Sequence, residues 1–260
     1  MNGNMMGWDL TIPQAISHAE KYNYDGKLIS RELDGSIKET TYGESIKRSK
    51  KLANALSKLG INLHDRVATI AWNNSRHFET YFGVSGMGAV LHTLNPRYSP
   101  AQLVYILNHA EDKVLIIDPT FIPLVEGVQD QLNFVETIII AAEKSSIPDN
   151  SLNNSCSYDD LLEQESSEYQ WPDLSEDTSS ALCYTSGTTG NPKGVLYSHR
   201  STILHAISIA GTMGFESSSA VLPVVPMFHV NAWGVPYSAL INGFTSVSYT
   251  HLRAHETQSD

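Results

Sequence analysis

Between Arg66 and Ala142 short apolar runs alternate with segments that carry helix signals, and no other feature of the chain restricts its fold so much. RVATIAW, AVLHTL, KVLIID and VETIIIAA are short and rich in branched or small apolar residues, so each predicts a strand. The stretches at 75–87, 100–109 and 121–132 lie between them and predict helices. Repeated βα units of this length imply an α/β fold with a mostly parallel sheet and helices on both faces. Upstream, Lys27–Arg31 and Ile37–Thr41 flank Asp34-Gly35, a strong turn pair, and predict a β-hairpin that opens the fold. Ile46, Leu52, Ala55, Leu56 and Leu59 recur at helical spacing before Gly60, which predicts a helix over 42–59.

The pattern lapses over 143–178 into a polar, acidic surface connection with one short helix expected near 158–165. Its carboxylates read as a solvated acidic face in preference to a metal site. Order resumes at ALCYTS. The expected organisation is therefore an N-terminal α/β subdomain over 1–178 and the start of a second over 179–246, followed by a non-native tail over 247–260. In the second unit a strand at 195–198, a helix near 201–213, a strand AVLPVVP and a helix from about Asn231 are predicted. The tail includes His251 and His255, spaced as a metal pair could be, but no further ligands accompany them.

Bulk composition excludes several functions. The chain has 260 residues, 41% of them hydrophobic, and a formal net charge of −11. That is ample apolar content for a buried core, while the absence of any basic run argues against nucleic acid as a partner. Two cysteines are too few for a disulfide framework, and Cys183 reads as a small core residue rather than a nucleophile. The first residues carry no secretory pattern, and no apolar run approaches the roughly 20 residues of a membrane span, so a cytoplasmic location with at most peripheral membrane contact is expected.

Chemistry is concentrated in YTSGTTGNPKGVLYSHR, residues 184–200. Gly187, Gly190 and Gly194 allow backbone N–H groups to approach anionic oxygens, and Thr185, Ser186, Thr188 and Thr189 add hydroxyl donors. Pro192 stiffens the exit, from which Lys193 emerges as a point charge. A Walker loop would need glycine before that lysine and a hydroxyl after it; here Pro192 and Gly194 stand in those places, which excludes the P-loop class. In a second stretch, PMFHVNAWG at 226–234, the apolar run is expected to deliver His229 to the C-terminal end of a strand, where α/β sheets bind ligands. Read alone, His229 and Trp233 fit a packed core as well as a site.

The two stretches together resemble the adenylate-forming enzymes. With RHFETYFGVSGMGAVLHTLNPR and YILNHAEDKVLIIDP upstream, the chain is similar to fatty acyl-CoA synthetases of the bacterial long- and medium-chain type over about 7–246. The resemblance implies that Thr185, Ser186, Gly187, Thr188, Thr189, Gly190 and Lys193 grip the phosphates of ATP, with Thr185 also near Mg2+. It places His229 and Lys193 at the reacting groups and Trp233 as a gate across the acyl tunnel. The implied reaction joins a carboxylate, expected to be a fatty acid, to ATP as an acyl-adenylate and then to CoA as a thioester, in a homodimer contacted through the N-terminal region. Aryl, branched or methylthio-alkanoic acids are alternative substrates, and a non-catalytic nucleotide-binding module is an alternative function. The family's adenine pocket, ribose aspartate and C-terminal lysine have no counterpart in these residues, so the polypeptide reads as the first half of such an enzyme and is expected to be nearly inactive alone.

Overall fold

The computed structural model describes residues 5–185 and 191–249. Its elements run α1 Ile12–Tyr22, β1 Lys27–Arg31, β2 Ile37–Thr41, α2 Tyr42–Lys58, β3 Arg66–Ile70, α3 Ser75–Gly86, β4 Val90–Thr93, α4 Pro100–Ala110, β5 Asp112–Ile117, α5 Ile122–Glu126, β6 Thr137–Ile140, β7 Ser155–Ser157, α6 Tyr158–Glu163, β8 Ser179–Thr185, β9 Lys193–Ser198, α7 His199–Met213, β10 Ala220–Val221, α8 Val230–Trp233, α9 Val235–Asn242 and β11 Thr245–Tyr249.

Among the described residues, seven strands form one sheet in the order β7-β6-β5-β3-β4-β8-β9. All neighbours in it are parallel except β8 and β9. Strand residues alternate between two cores, as a sheet covered on both faces requires. Val67, Leu91, Val114, Ile116 and Ile139 face a core completed by α1, α2, α3 and α9, whereas Ala68, Ile70, Leu115, Ile117, Ile138 and Ile140 face α4 and α5. The two helical layers predicted from the βα repeats are both present.

A second sheet runs β10-β11-β1-β2. β1 and β2 form the predicted hairpin, with Leu28 opposite Thr40, and β1 pairs on its other side in parallel with β11, Leu28 opposite Ser246. Both sheets therefore combine strands from before and after residue 178. The strand β11 also continues through Tyr249, so the boundary placed at 246 falls inside a strand; His251 and His255 lie outside the described residues.

Several elements differ from expectation. The helix α1 precedes the hairpin, so a helix opens the fold; Pro13 sits in its first turn, where a missing N–H costs nothing. The helix expected over 121–132 is reduced to α5 between two 3₁₀ turns. Pro123 can occupy only a first helical turn and Gly127 follows one turn later, leaving a single helical turn between them. AVLPVVP pairs only through Ala220 and Val221, because Pro223 and Pro226 have no N–H to donate to a ladder. In the acidic connection, β7 was not foreseen, and Asp159 is not merely solvated: it bridges Arg48 at 2.5 Å and Arg76 at 2.6 Å. Arg48 in turn holds the buried Glu79, to which the Tyr158 hydroxyl also donates. Among the described residues no helix is long and apolar enough to cross a membrane.

Two buried histidines link the fold to pH. His77 lies between the Trp72 carbonyl and the Thr69 hydroxyl, and His199 Nδ1 accepts the Ile12 N–H at 3.1 Å, which anchors the start of α1. Burial pushes each imidazole down to about 4. Because the unfolded histidines bind protons near 6.5 and the folded ones do not, stability is full above 6.5 and declines as pH falls toward 4. By pH 5 each should cost about 2 kcal/mol. In urea titrations at pH 7 and 5, His199→Asn, which keeps an acceptor for the Ile12 N–H but cannot titrate, should lose about 2 kcal/mol less than the parent between the two pH values.

Candidate active site

The parallel strands β3, β4, β5, β6 and β8 all end on one side of the large sheet, and the predicted chemistry gathers there. β8 leaves the sheet at Thr185 and the chain returns in β9 from Lys193; the two residues are direct cross-strand partners. Ser186, Gly187, Thr188, Thr189 and Gly190 lie outside the described residues. The Thr185 hydroxyl donates to the Lys193 carbonyl at 3.4 Å, which engages its proton. Lys193 is exposed and Pro192 is buried, so the proline anchors the corner from which the ammonium projects.

His229 is not delivered by a strand. Residues 222–229 form an irregular strap, and the strap ends in a feature that helical periodicity could not reveal. Val230, Asn231, Ala232 and Trp233 all have φ between 47° and 53°, and Gly234 follows at 71°. α8 is thus one left-handed turn built from four L-residues, in place of the right-handed helix expected from Asn231. Such a backbone costs about 1–2 kcal/mol per residue, so surrounding contacts must hold it. α9 begins only at Val235, with Pro236 in its first turn.

Those contacts are specific. At the start of the strap, Met227 N–H donates to Asn73 Oδ1 at 2.7 Å and the Tyr81 hydroxyl donates to the Met227 carbonyl. The Phe228 ring meets Trp72 edge-on at 6.2 Å. In the turn, buried Asn231 accepts from the Thr93 hydroxyl at 3.4 Å and the Cys183 thiol at 3.6 Å. At its end His205, on α7, donates through Nε2 to the Trp233 carbonyl at 2.8 Å, and its ring packs so closely on Gly234 that a Cβ there would lie 2.8 Å from His205 Cδ2. Asn231 and Ala232 are buried beneath the turn, whereas His229 and Trp233 are exposed, Trp233 by 58%.

The two sequence stretches are thereby brought together: Cys183, two residues before Thr185, touches Asn231, two residues after His229. Cys183 is a buried thiol whose pKa burial raises, so it is a protonated donor, as a core role requires. Sequence reasoning missed Thr93, His205 and Asp118. Asp118 follows β5 and accepts from Trp72 N–H at 2.7 Å and from the Asn74 amide at 3.0 Å, tying the ends of β3 and β5. Its burial pushes its carboxyl up to about 7 against those two donors. The only available signal for Asp118 was its place immediately after a strand. For His205, an exposed helical position with no motif, there was none.

Comparison with known proteins places the chain in a family. Residues 18–258 match the AMP-binding enzyme family. The chain is 47% identical over 245 residues to the 3-methylmercaptopropionyl-CoA ligase of Ruegeria pomeroyi, covering 94% of this chain and 46% of that protein. It is 46% identical to the medium-chain-fatty-acid–CoA ligase of Ectopseudomonas oleovorans, covering 94% and 45%. The chain thus spans about half the length of the curated relatives it matches. In fold it is similar to the inhibitor-bound N-terminal domain of FACL13 from Mycobacterium tuberculosis, with TM-score 0.82 and 24% identity over 95% of this chain and 59% of that one. A long-chain-fatty-acid-CoA ligase from Archaeoglobus fulgidus gives TM-score 0.82 at 19% identity, covering 95% and 48%. With its parallel sheet, its hairpin from Thr185 to Lys193 and this extent of matched sequence, the chain belongs to the AMP-binding enzyme family.

Proposed function

We propose that this chain supplies the phosphate-gripping half of an AMP-forming acyl-CoA ligase. The observation that carries the reading is the contact of Cys183 with Asn231, which holds the hairpin of Thr185 and Lys193 beside the strap of His229 and Trp233. In the proposed reaction a carboxylate oxygen attacks the α-phosphorus of ATP, the bond to the bridging oxygen breaks, and pyrophosphate leaves. The CoA thiol then displaces AMP from the acyl-adenylate. A carboxylate needs no general base to attack, so the residues' task is to position it and to balance phosphate charge.

In this reading Ser186, Gly187, Thr188, Thr189 and Gly190 surround the β- and γ-phosphates, and the Lys193 ammonium offsets their charge as pyrophosphate departs. His229 orients the carboxylate against the α-phosphate, and Trp233 screens the acyl group. Mg2+ fits as an ion carried largely by the nucleotide: among the described residues no cluster of three acidic, histidine or cysteine side chains could hold a metal, while the Thr185 hydroxyl, its proton engaged by Lys193, has lone pairs to offer. When bound, it would supply neutralisation of phosphate charge. ATP and CoA as co-substrates make the cytoplasm the proposed location, with a homodimer as the proposed assembly.

The acid is proposed to be a medium-chain fatty acid or a methylthio-alkanoic acid, the substrates named for the relatives at 46–47% identity. A narrow profile for aromatic acids would sink this assignment. The test is carboxylate-dependent ATP–pyrophosphate exchange, with acids from acetate to dodecanoate, 3-methylthiopropionate and benzoate. The chain alone should give no exchange above background, and the chain extended by the C-terminal half of the Ectopseudomonas oleovorans ligase should give robust exchange. No exchange with any acid in the extended protein would overturn the reading.

In that extended protein, Lys193→Met should lower kcat/KM for ATP about 100-fold, the scale of one lost transition-state charge contact. His229→Ala should instead act mainly on the acid, raising its KM and lowering kcat together. A lysine variant with unchanged kinetics would remove Lys193 from the site.

A further inference from the structure

We propose that Asn231 is a positioning residue: its buried side chain fixes the turn bearing His229 and Trp233 against the strand end bearing Thr185, so that carboxylate and phosphate are presented to each other in register. The inference rests on the reading of the site as an acyl-adenylating one and adds to it a residue that touches neither substrate.

Geometry carries it. One helical turn places His229 and Trp233 on the same side and the residue midway between them on the opposite side. That residue is Asn231, 6% exposed, directed onto the end of the sheet while His229 and Trp233 face out. Its carbonyl oxygen accepts from two donors on neighbouring strands, the Thr93 hydroxyl of β4 and the Cys183 thiol of β8. Thr93 and Cys183 are themselves register partners and lie 3.5 Å apart, so the three side chains form one cluster on paired backbone.

Residue type supports the assignment as well. Among residues with a Cβ, asparagine enters the left-handed region most readily, and here it sits at φ 50° inside the run of four. Glycine could adopt the same backbone but could not reach Thr93 or Cys183. Aspartate could reach both but would bring a charge into a buried place with only neutral donors. Of these three residue types, asparagine alone meets the backbone and the two donors together. The outer ends of the strap are held independently, by Asn73 and Tyr81 at Met227 and by His205 at Trp233. Loss of the central contact should therefore loosen the turn without detaching the strap.

The test uses Asn231→Gly, which keeps the left-handed backbone and removes only the side chain. In the chain itself, hydrogen–deuterium exchange should quicken at least tenfold for amides 229–234 and remain unchanged in β3 and β5. In the extended protein, kcat for pyrophosphate exchange should fall 10- to 100-fold, with KM for ATP within threefold of the parent and the melting temperature little changed. Thr93→Val should give a smaller loss of the same kind and add nothing in the Asn231→Gly background, since both changes break one cluster. Unchanged exchange at 229–234, or core amides quickening together with it, would overturn the proposal, as would a parent-like kcat. If the unsubstituted extended protein adenylates no acid, the functional reading fails with it, and exchange confined to 229–234 still decides whether Asn231 pins the turn.

Discussion

The parallel pairing of β4 with β8 is the interaction on which the site depends. It sets Leu91 opposite Ala181, His92 opposite Leu182 and Thr93 opposite Cys183, and so inserts a late segment of the chain into a sheet begun by early ones. Because β8 runs in the same direction as β4, its end at Thr185 reaches the edge where β3, β4 and β5 also end. The antiparallel return through β9 then brings Lys193 back opposite Thr185. With the opposite polarity, the glycine-rich residues would emerge at the other edge, away from Asp118 and the strap.

Much of this was legible in the sequence because period-two and helical patterns report local burial. RVATIAW, AVLHTL and VETIIIAA each contain the strand observed, KVLIID holds all of its strand but Asp112, and the Asp34-Gly35 hairpin has the predicted limits. Two of the departures share a cause: prolines and glycines acting within apolar runs. AVLPVVP looked like a strand by composition, yet two missing N–H groups confine its pairing to two residues. The residues 121–132 looked like a helix, but Pro123 and Gly127 leave room for one turn. The helix α1 is a different case, because its apolar residues Ile12, Ala15, Ile16 and Ala19 do have helical spacing.

The site was legible in its parts but not in its joinery. His229, Trp233, Thr185 and Lys193 could be marked as chemistry-bearing residues from type and order alone. That a left-handed turn separates His229 from Trp233 could not, because nothing in VNAW requires positive φ and three of those four residues disfavour it. The turn exists because tertiary contacts from Asn73, Tyr81, Thr93, Cys183 and His205 outweigh the local preference. Those partners come from distant parts of the chain, so no window of sequence contains the reason.

The pairing of β1 with β11 has a consequence for how the molecule is made. Leu28 lies beside Ser246, and Asn23 reaches the carbonyls of Leu240 and Ile241. At about 5–20 residues per second of synthesis, the hairpin β1–β2 must wait on the order of ten seconds or more before its neighbour emerges from the ribosome. Throughout that interval one edge of β1 has N–H and C=O groups with no strand beside them, in a small two-stranded ribbon that is marginal by itself. Among the described strands, β1 is thus made before nearly all the others yet completed only when the last of them, β11, pairs beside it.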